Sequence, residues 1–454
     1  MALRESSAMI RRSGVAVGGA AVILGSLLCG CGGAASAATR PLPITPACAW
    51  PIATNAQTIS ENPLLNISNP DIAADYWVMP FTVQDGLRIT LSGHYPASRY
   101  MSFAIYNSHG TPFTTNGDDS ILTDYRIAPD SGSVNPWRHP APPGGSFTAT
   151  LRANVTAGRV NTLPLAPEGT PAGTLGLIFL RVYASAQANP GRISLPTVTF
   201  TANGVSKRLP TCPATAFPTG AAVQEVLQVL GLPANYMQSG LPPTAAPPAK
   251  PGAAGILVPF AVYPAGTGGT VDPDIGYLSA FVVPPQNGDV LVIRAKAPTT
   301  PSGTLPTPWP TPGDELRYWS ICDDLKPEPT PVVVNRQPHG TVDEGCRYDS
   351  QVTLARNGDY TIVVGTEAQR AVIERIPGAT FLPFSAAEPT QAHKLNVRNM
   401  LPNPDFHNAI QNVPADGNAS SAEAVMGPYY PQAAFCSLAT LANSGPNACL
   451  AGTT

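Results

Sequence analysis

Leu87, Ile89 and Leu91 share one parity along the chain, while Arg88, Thr90 and Ser92 hold the other. Successive side chains of an extended strand point to opposite faces, so this alternation predicts a half-buried antiparallel strand. Similar short strands are predicted over 76–83, 100–107, 147–153, 175–183, 193–200, 290–295, 352–355 and 360–364. Turn residues punctuate them every eight to twenty positions or so, the rhythm of β-sandwiches and jelly rolls. Only 221–230 carries a helical stripe, with Ala222, Val223, Val226, Leu227 and Leu230 on one face and Gly231 and Pro233 as a stop. The expectation is an all-β protein with one short linking helix.

The strand pattern recurs. Asn69-Pro70-Asp71-Ile72 is followed by Tyr76-Trp77, a turn at Gln84-Asp85-Gly86, the alternating strand and then Arg99-Tyr100-Met101-Ser102. Asp272-Pro273-Asp274-Ile275 is followed in the same order by Tyr277, a turn at Gln286-Asn287-Gly288-Asp289, a strand from Val290 and then Arg317-Tyr318-Trp319-Ser320. Two long copies argue for a duplicated β-sandwich or jelly-roll domain, since a solenoid needs shorter and more numerous units. The match pairs Asp71 with Asp274. The second copy is longer before its Arg by a segment in which Pro306, Pro308, Pro310 and Pro312 alternate, a stiff extended loop expected to project from one end. The expected organisation is a signal peptide over 1–30, a tether over 31–47, a first sandwich over 48–215, a helix and Pro/Ala-rich linker over 216–255, a second sandwich over 256–388 and a disulfide-tied tail over 389–454.

Composition sharpens this picture. Of 454 residues, 52 are Pro and 41 are Gly, which makes long helices scarce, while 43 % are hydrophobic and only 12 % charged. That balance supports a buried core and opposes intrinsic disorder. The formal net charge of -3 offers no cationic surface for phosphates, so nucleic acid is not an expected partner. Arg4, Arg11 and Arg12 precede an uncharged run from Ser13 to Leu28, as in an export signal. Leu28-Cys29-Gly30-Cys31 resembles a lipoprotein cleavage box, which makes Cys31 the expected lipidated residue and the membrane an expected partner; cleavage after Ala35-Ser36-Ala37 would instead release the protein. Six further cysteines then sit in an oxidising compartment, and their positions favour Cys48–Cys212, Cys322–Cys346 and Cys436–Cys449. No Cys-x-x-Cys or histidine at ligand spacing supports zinc, and no cofactor is expected.

The blocks Asp75-Tyr76-Trp77, Arg99-Tyr100-Met101-Ser102-Phe103, Asp130-Ser131-Gly132-Ser133-Val134-Asn135-Pro136-Trp137, Arg317-Tyr318-Trp319-Ser320 and Asn399-Met400-Leu401-Pro402 together resemble a group of uncharacterised exported bacterial proteins. The Arg-Tyr-x-Ser strand also resembles that of jelly-roll domains of unknown function in exported bacterial proteins. The resemblance is scattered over most of the mature chain. It implies an all-β fold and carries no activity, so no catalytic residue is transferred.

Candidate chemistry is sparse. There is no Gly-x-Ser-x-Gly elbow, and His94, His109, His139, His339, His393 and His407, the only histidines, show no metal-binding spacing and are expected on loops or the surface. Asp71, Asp75, Asp118, Asp119, Asp124, Asp323 and Asp324 supply carboxylates from which a glycosidase pair could be assembled, although Asp71 and Asp274 also read as turn formers. Asn116, Asp118, Asp119 and Asp124 form a candidate calcium loop without the EF-hand register. Tyr76, Trp77, Arg99, Tyr100, Arg317, Tyr318 and Trp319 combine aromatic faces with guanidinium forks, the equipment of carbohydrate or lipid head-group recognition. The alternative for these residues is that the aromatics are core and each Arg pairs with a repeat Asp. The expected function is a lipid-anchored envelope protein with a binding or structural role toward carbohydrate or lipid; the alternative is an extracytoplasmic hydrolase with a carboxylate site in the interdomain cleft.

Overall fold

The computed structural model describes residues 46–451 except 62, 154–157, 186–192, 213–247, 265–269, 328–329, 338–339 and the side chain of residue 64. The signal segment, Cys31, the helix expected over 221–230, most of the linker and His339 lie outside the described residues. Residues Pro43–Thr454 form one compact unit.

The first half supplies β1 (Ile52–Thr54), β2 (Ala74–Thr82), β3 (Arg88–His94), β4 (Ser98–Tyr106), the hairpin β5 (Thr114–Thr115) and β6 (Asp118–Asp119), β7 (Ile121–Thr123), β8 (Ser146–Arg152), β9 (Thr162–Pro164), β10 (Leu175–Ser185), β11 (Thr197–Ala202) and β12 (Val205–Leu209). These make an inner sheet, β1-β2-β10-β4-β7, and an outer sheet, β12-β11-β3-β8-β9. The second half supplies β13 (Lys250–Pro251), β14 (Ile275–Val283), β15 (Asp289–Lys296), β16 (Leu316–Leu325), the hairpin β17 (Val334–Arg336) and β18 (Val342–Glu344), β19 (Cys346–Tyr348), β20 (Asp359–Gly365), β21 (Ala379–Pro383), β22 (His393–Pro402) and β23 (Gln432–Ser437). Its inner sheet is β13-β14-β22-β16-β19 and its outer sheet β21-β20-β15-β23. The protein is thus all-β, two sandwiches sharing one strand order, with β2, β4, β7 and β10 matched by β14, β16, β19 and β22.

Each sandwich closes on its own core. Phe81, Phe103 and Ile178 of the first inner sheet meet Ile89, Phe147 and Leu151 of the outer one. Leu278, Trp319 and Val397 of the second meet Leu291, Ile362 and Phe435. The period of two survives where one sheet face reaches solvent: β8 reads half-buried and buried in strict alternation. It is lost in β4, where all nine residues are buried. The reason is a second apolar layer, in which Ala74, Tyr100 and Tyr183 from the first inner sheet pack on Ile275, Tyr318 and Met400 from the second. Strands covered on both faces read as continuous runs.

Four expectations are corrected. Residues 389–454 are not a tail: β22 lies between β14 and β16 in the second inner sheet, and β23 pairs with β15. The sandwich would lack a central strand without them, so the second domain runs to the chain's last disulfide. Residues 352–355 form no strand and follow the short helix Asp349–Gln351. Described short helices occur at Ala56–Glu61, Glu367–Ile373, Ala419–Met426, Leu438–Ser444 and Pro446–Leu450, too brief for a hydrophobic stripe to announce them. The Pro-rich insert does not project freely, because Trp309 N–H donates to Trp137 O of the first sandwich at 2.9 Å.

All three favoured disulfides form: Cys48–Cys212, Cys322–Cys346 and Cys436–Cys449. The first closes the first sandwich where Ala49 N–H donates to Pro210 O at 2.7 Å. The second joins directly opposed residues of β16 and β19. Three such bonds indicate an oxidising, extracytoplasmic environment. No described helix is long and apolar enough to cross a membrane.

Candidate functional site

The polar residues of the two inner sheets converge on the seam between the sandwiches. Ser98 opens β4 and Leu316 opens β16, so each strand begins with its Arg–Tyr pair at the seam edge. Alternation sends the two neighbours to different places, and both are covered. Tyr318 Oη donates to Asp71 Oδ2 at 2.9 Å and Ser320 Oγ to the same oxygen at 2.6 Å. Reciprocally, Tyr100 Oη lies 3.1 Å from Asp272 Oδ2 and 2.9 Å from Asp274 Oδ2. Arg317 Nη1 reaches Asp124 Oδ1 at 2.5 Å, and Arg99 Nη1 reaches Asp349 Oδ2 at 2.5 Å. Arg181 lies 3.8 Å from Asp272, and Arg398 3.9 Å from Asp71. Each of these bonds runs from one sandwich to the other, so each Tyr–Asp and Arg–Asp pair of one clasp has a counterpart in the second, whereas Ser102, the counterpart of Ser320, finds no partner among the described residues.

This geometry corrects the repeat register. Asp71 Oδ1 accepts from the backbone N–H two residues on, at Ala73, and Asp272 Oδ1 does the same from Asp274. Both turns then lead into nine-residue strands, β2 and β14. The counterpart of Asp71 is therefore Asp272, two positions before the residue paired by the Pro-Asp-Ile match. Asp274 is an additional carboxylate: Thr123 Oγ1 and Tyr100 Oη donate to its Oδ2. Burial first, and the neighbouring Asp272 second, push the Asp274 carboxyl up to about 7. Burial also raises Asp124, against the pull of Arg317. The Tyr100 and Tyr318 hydroxyls are driven well above the ordinary phenol value by burial, then by the facing aspartates. They are donors at any physiological pH.

Around the acids runs a tyrosine file. Tyr183 packs edge-on against Tyr76, Tyr100 and Tyr318 at centroid distances of 6.2, 5.6 and 5.3 Å, and Tyr318 stacks on Tyr348 at 5.9 Å. Tyr76 is half-buried, and its hydroxyl accepts from Asp71 N–H at 3.1 Å. Trp77 and Trp319 belong to the two sandwich cores. The expectation of an open binding face at Tyr76, Trp77, Arg99, Tyr100, Arg317, Tyr318 and Trp319 is thus corrected: the aromatics pack internally and each Arg pairs with an Asp of the other sandwich.

The remaining candidates fare variously. Asp118 Oδ1 accepts from Gly158 N–H at 3.0 Å and Asp119 Oδ1 from Thr114 Oγ1 at 2.8 Å. Asn116 forms the left-handed turn between β5 and β6. Asp124 faces Arg317 instead, so the four expected calcium ligands do not converge. Among the described residues the one cluster of three metal-ligating types is Asp71 with Cys322 and Cys346, whose sulfurs are joined to each other. Asp75 accepts from Asn55 Nδ2 at 3.2 Å, and burial lifts its carboxyl to about 6. His94, His109, His139 and His407 are exposed as expected. His393 is not: it is fully buried and contacts Asp323 at 2.8 Å. Asp324, on the seam face of β16, is fully buried, neither oxygen has a hydrogen-bond partner among the described residues, and burial raises it to about 7.

Sequence reasoning missed Arg181, Arg398, Asp272 and Asp349. A lone Arg inside an apolar strand, as in Leu175–Ser185, was the available signal, because a buried cation requires a partner.

No protein-family model matches the chain, and no curated protein matches it. Among solved structures, it is similar to an uncharacterised protein from Burkholderia cenocepacia, with 13% identity and a TM-score of 0.45 over 83% of this chain and 79% of that one. It is also similar to a structural-genomics target from Vibrio parahaemolyticus, with 11% identity and a TM-score of 0.34 over 81% of this chain and 89% of that one.

Proposed function

We propose that the chain is an exported, lipid-anchored envelope protein that binds carbohydrate and performs no catalysis. The observation that carries this reading is the reciprocal clasp. A glycosidase needs a general acid and a base or nucleophile facing a substrate-sized gap. Here Asp71, Asp124, Asp272 and Asp349 each accept from a donor of the opposite sandwich. Their work is to hold two sandwiches as one body. The half-buried edges of the tyrosine file, with Tyr125, Tyr348 and Trp309, offer aromatic surface beside polar groups, which suits sugar stacking. Cys31 supplies the anchor.

A second reading is an extracytoplasmic hydrolase, favoured by the half-buried Asp274, whose carboxyl titrates at about 7 beside Asp272. One experiment separates the two. Cells producing wild type and Cys31→Ser are fractionated, and the purified proteins are incubated with envelope polysaccharide. The proposal expects membrane-bound wild type, soluble Cys31→Ser, retention of polysaccharide and no release of reducing ends. Wild type found wholly soluble overturns the anchor. Reducing ends released by wild type and abolished in Asp274→Asn replace the binder with the hydrolase.

A further inference from the structure

The two clasps are equivalent in position but differ in the partners of their guanidinium forks. Arg99 is closed on all sides: Nη1 meets Asp349, Nε and Nη2 both donate to Gly303 O at 3.1 and 2.7 Å, and Nη2 also donates to Ser350 Oγ at 2.9 Å. Gly303 lies in the Pro-rich insert, between β15 and β16. The first sandwich has no such insert, since residues 95–97 alone join β3 to β4. The fork of Arg317 therefore lacks the loop that closes the fork of Arg99. Its Nη1 is held by Asp124, but Nε and Nη2 meet no acceptor among the described residues, although the side chain is only 1% exposed. Trp309 lies against its guanidinium at 5.1 Å and Tyr125 at 5.5 Å.

We infer that the Nε–Nη2 edge of Arg317 is a binding site for an acyl amide, whose carbonyl oxygen takes the place that Gly303 O holds against Arg99. This deepens the carbohydrate reading and rests on it. Buried donors are matched by acceptors in folded proteins, and two adjacent donors without a protein acceptor among the described residues, set on a rigid fork, specify a single oxygen between them. The duplicate clasp supplies the template, and its oxygen belongs to a neutral peptide group. Charge agrees with that template. Asp124 already pairs with Arg317, so a carboxylate or phosphate would add a further anion beside Asp124 and Asp274, whereas an amide carbonyl adds none. Trp309 and Tyr125 are both half-buried and flank the fork, placing apolar faces where the methyl group and ring of an N-acetyl sugar would stack. Entry requires Trp309 to turn off the guanidinium, and the ligand then covers that face. An acyl amide occurs in N-acetylated glycans and in peptides, and the probes must tell these apart.

The test uses the full mature protein with three probes: a trimer of N-acetylglucosamine, the corresponding trimer of glucosamine without acetyl groups, and acetyl-trialanine amide. Trp309 is the readout, since Trp50, Trp77, Trp137 and Trp319 are all buried and Trp309 alone is half-exposed. Tryptophan fluorescence is titrated, and heteronuclear NMR follows the arginine Nε–H signals. The expected result is saturable binding of the acetylated trimer with a shift of the Arg317 Nε–H signal, affinity lower by about tenfold or more for the unacetylated trimer, and a similar loss in Arg317→Lys. If Arg317→Lys fails to fold, Trp309→Ala, whose side chain lies outside both cores, carries the same expectation, read from the Arg317 Nε–H signal because the fluorescence reporter is then absent. Tight binding of acetyl-trialanine amide alone keeps the amide site and overturns the carbohydrate reading. Equal binding of both sugar trimers keeps the carbohydrate reading and overturns the amide site. An Arg317 Nε–H signal unmoved by all three probes shows that ordered water alone fills the fork, and overturns the inference.

Discussion

Replacing Asp124 by Asn probes the clasp at its most asymmetric point. Asp124 is fully buried and accepts three bonds: Arg317 Nη1 at 2.5 Å, Tyr125 N–H at 2.5 Å and Met101 N–H at 2.8 Å. An Asn side chain has one acceptor oxygen, so either orientation sets its Nδ2 against a donor. The larger effect falls on Arg317, whose Nε and Nη2 already lack acceptors and whose countercharge is removed. Leaving a buried charge uncompensated costs about 3–5 kcal/mol. Asp349→Asn is the matched control. Arg99 keeps Gly303 O and Ser350 Oγ when Asp349 is neutralised, so the loss approaches that of one charge-assisted hydrogen bond, about 1.5–3 kcal/mol. Urea unfolding followed by tryptophan fluorescence and by far-ultraviolet circular dichroism measures both variants. The pair Asp124→Asn with Arg317→Met completes a double-mutant cycle and is expected to be more stable than Asp124→Asn alone, because it removes the stranded cation. Equal losses at Asp124 and Asp349, or strictly additive losses in the cycle, would refute the reasoning.

Two further outcomes follow from the same structure. Asp324 holds its proton up to about pH 7 in the folded state, whereas an unfolded Asp releases it near pH 4. The folded state thus binds more protons across that window, and stability falls as pH rises from about 4 through 7. Asp324→Asn should flatten this profile and be the more stable protein at pH 8, by about 2–4 kcal/mol, as read from urea midpoints at pH 5 and 8; a wild-type profile that rises over this range would exclude the assignment. Replacing both Cys48 and Cys212 by Ala should cost about 2–5 kcal/mol, because that bond spans a sequence separation of 164, and a thermal midpoint unchanged from wild type would show that the backbone pairing of Ala49 with Pro210 and Cys212 suffices.

Much of the architecture was legible because it depends on local pattern. One-sided burial forces alternation, and β3 and β8 were accordingly placed to within a residue or two. Chain order alone revealed two copies, since turns, strands and the Arg–Tyr pair recur without three-dimensional information. The cysteine positions favoured the three pairings that form. The strands that failed to announce themselves are informative. β22 carries Asn396, Arg398 and Asn399 inside a central strand, and its sequence therefore reads as a loop. Those polar groups are tolerated because the opposite sandwich or the neighbouring strands supply partners: Arg398 Nη2 donates to Asn69 O, and Asn396 Oδ1 accepts from Ser279 Oγ.

What the chain determines by itself is each sandwich: the parity of its strands, its turns and its core. What only the tertiary structure decides is how Asp71, Asp124, Asp272 and Asp349 are used. Asp71 and Asp272 lie more than 170 positions in sequence from Tyr318 and Tyr100, and Asp124 and Asp349 as far from Arg317 and Arg99. No local pattern encodes such a pairing. The two-residue error in matching Asp71 to Asp274 has the same origin, because a Pro-Asp-Ile likeness is a property of the string, whereas equivalence is set by which carboxylate caps its own turn and meets the other sandwich's tyrosine. The unpartnered Nε–Nη2 edge of Arg317 is further still from the sequence. It arises because one copy of the repeat carries a loop that the other lacks, and the consequence appears only where the two copies face each other.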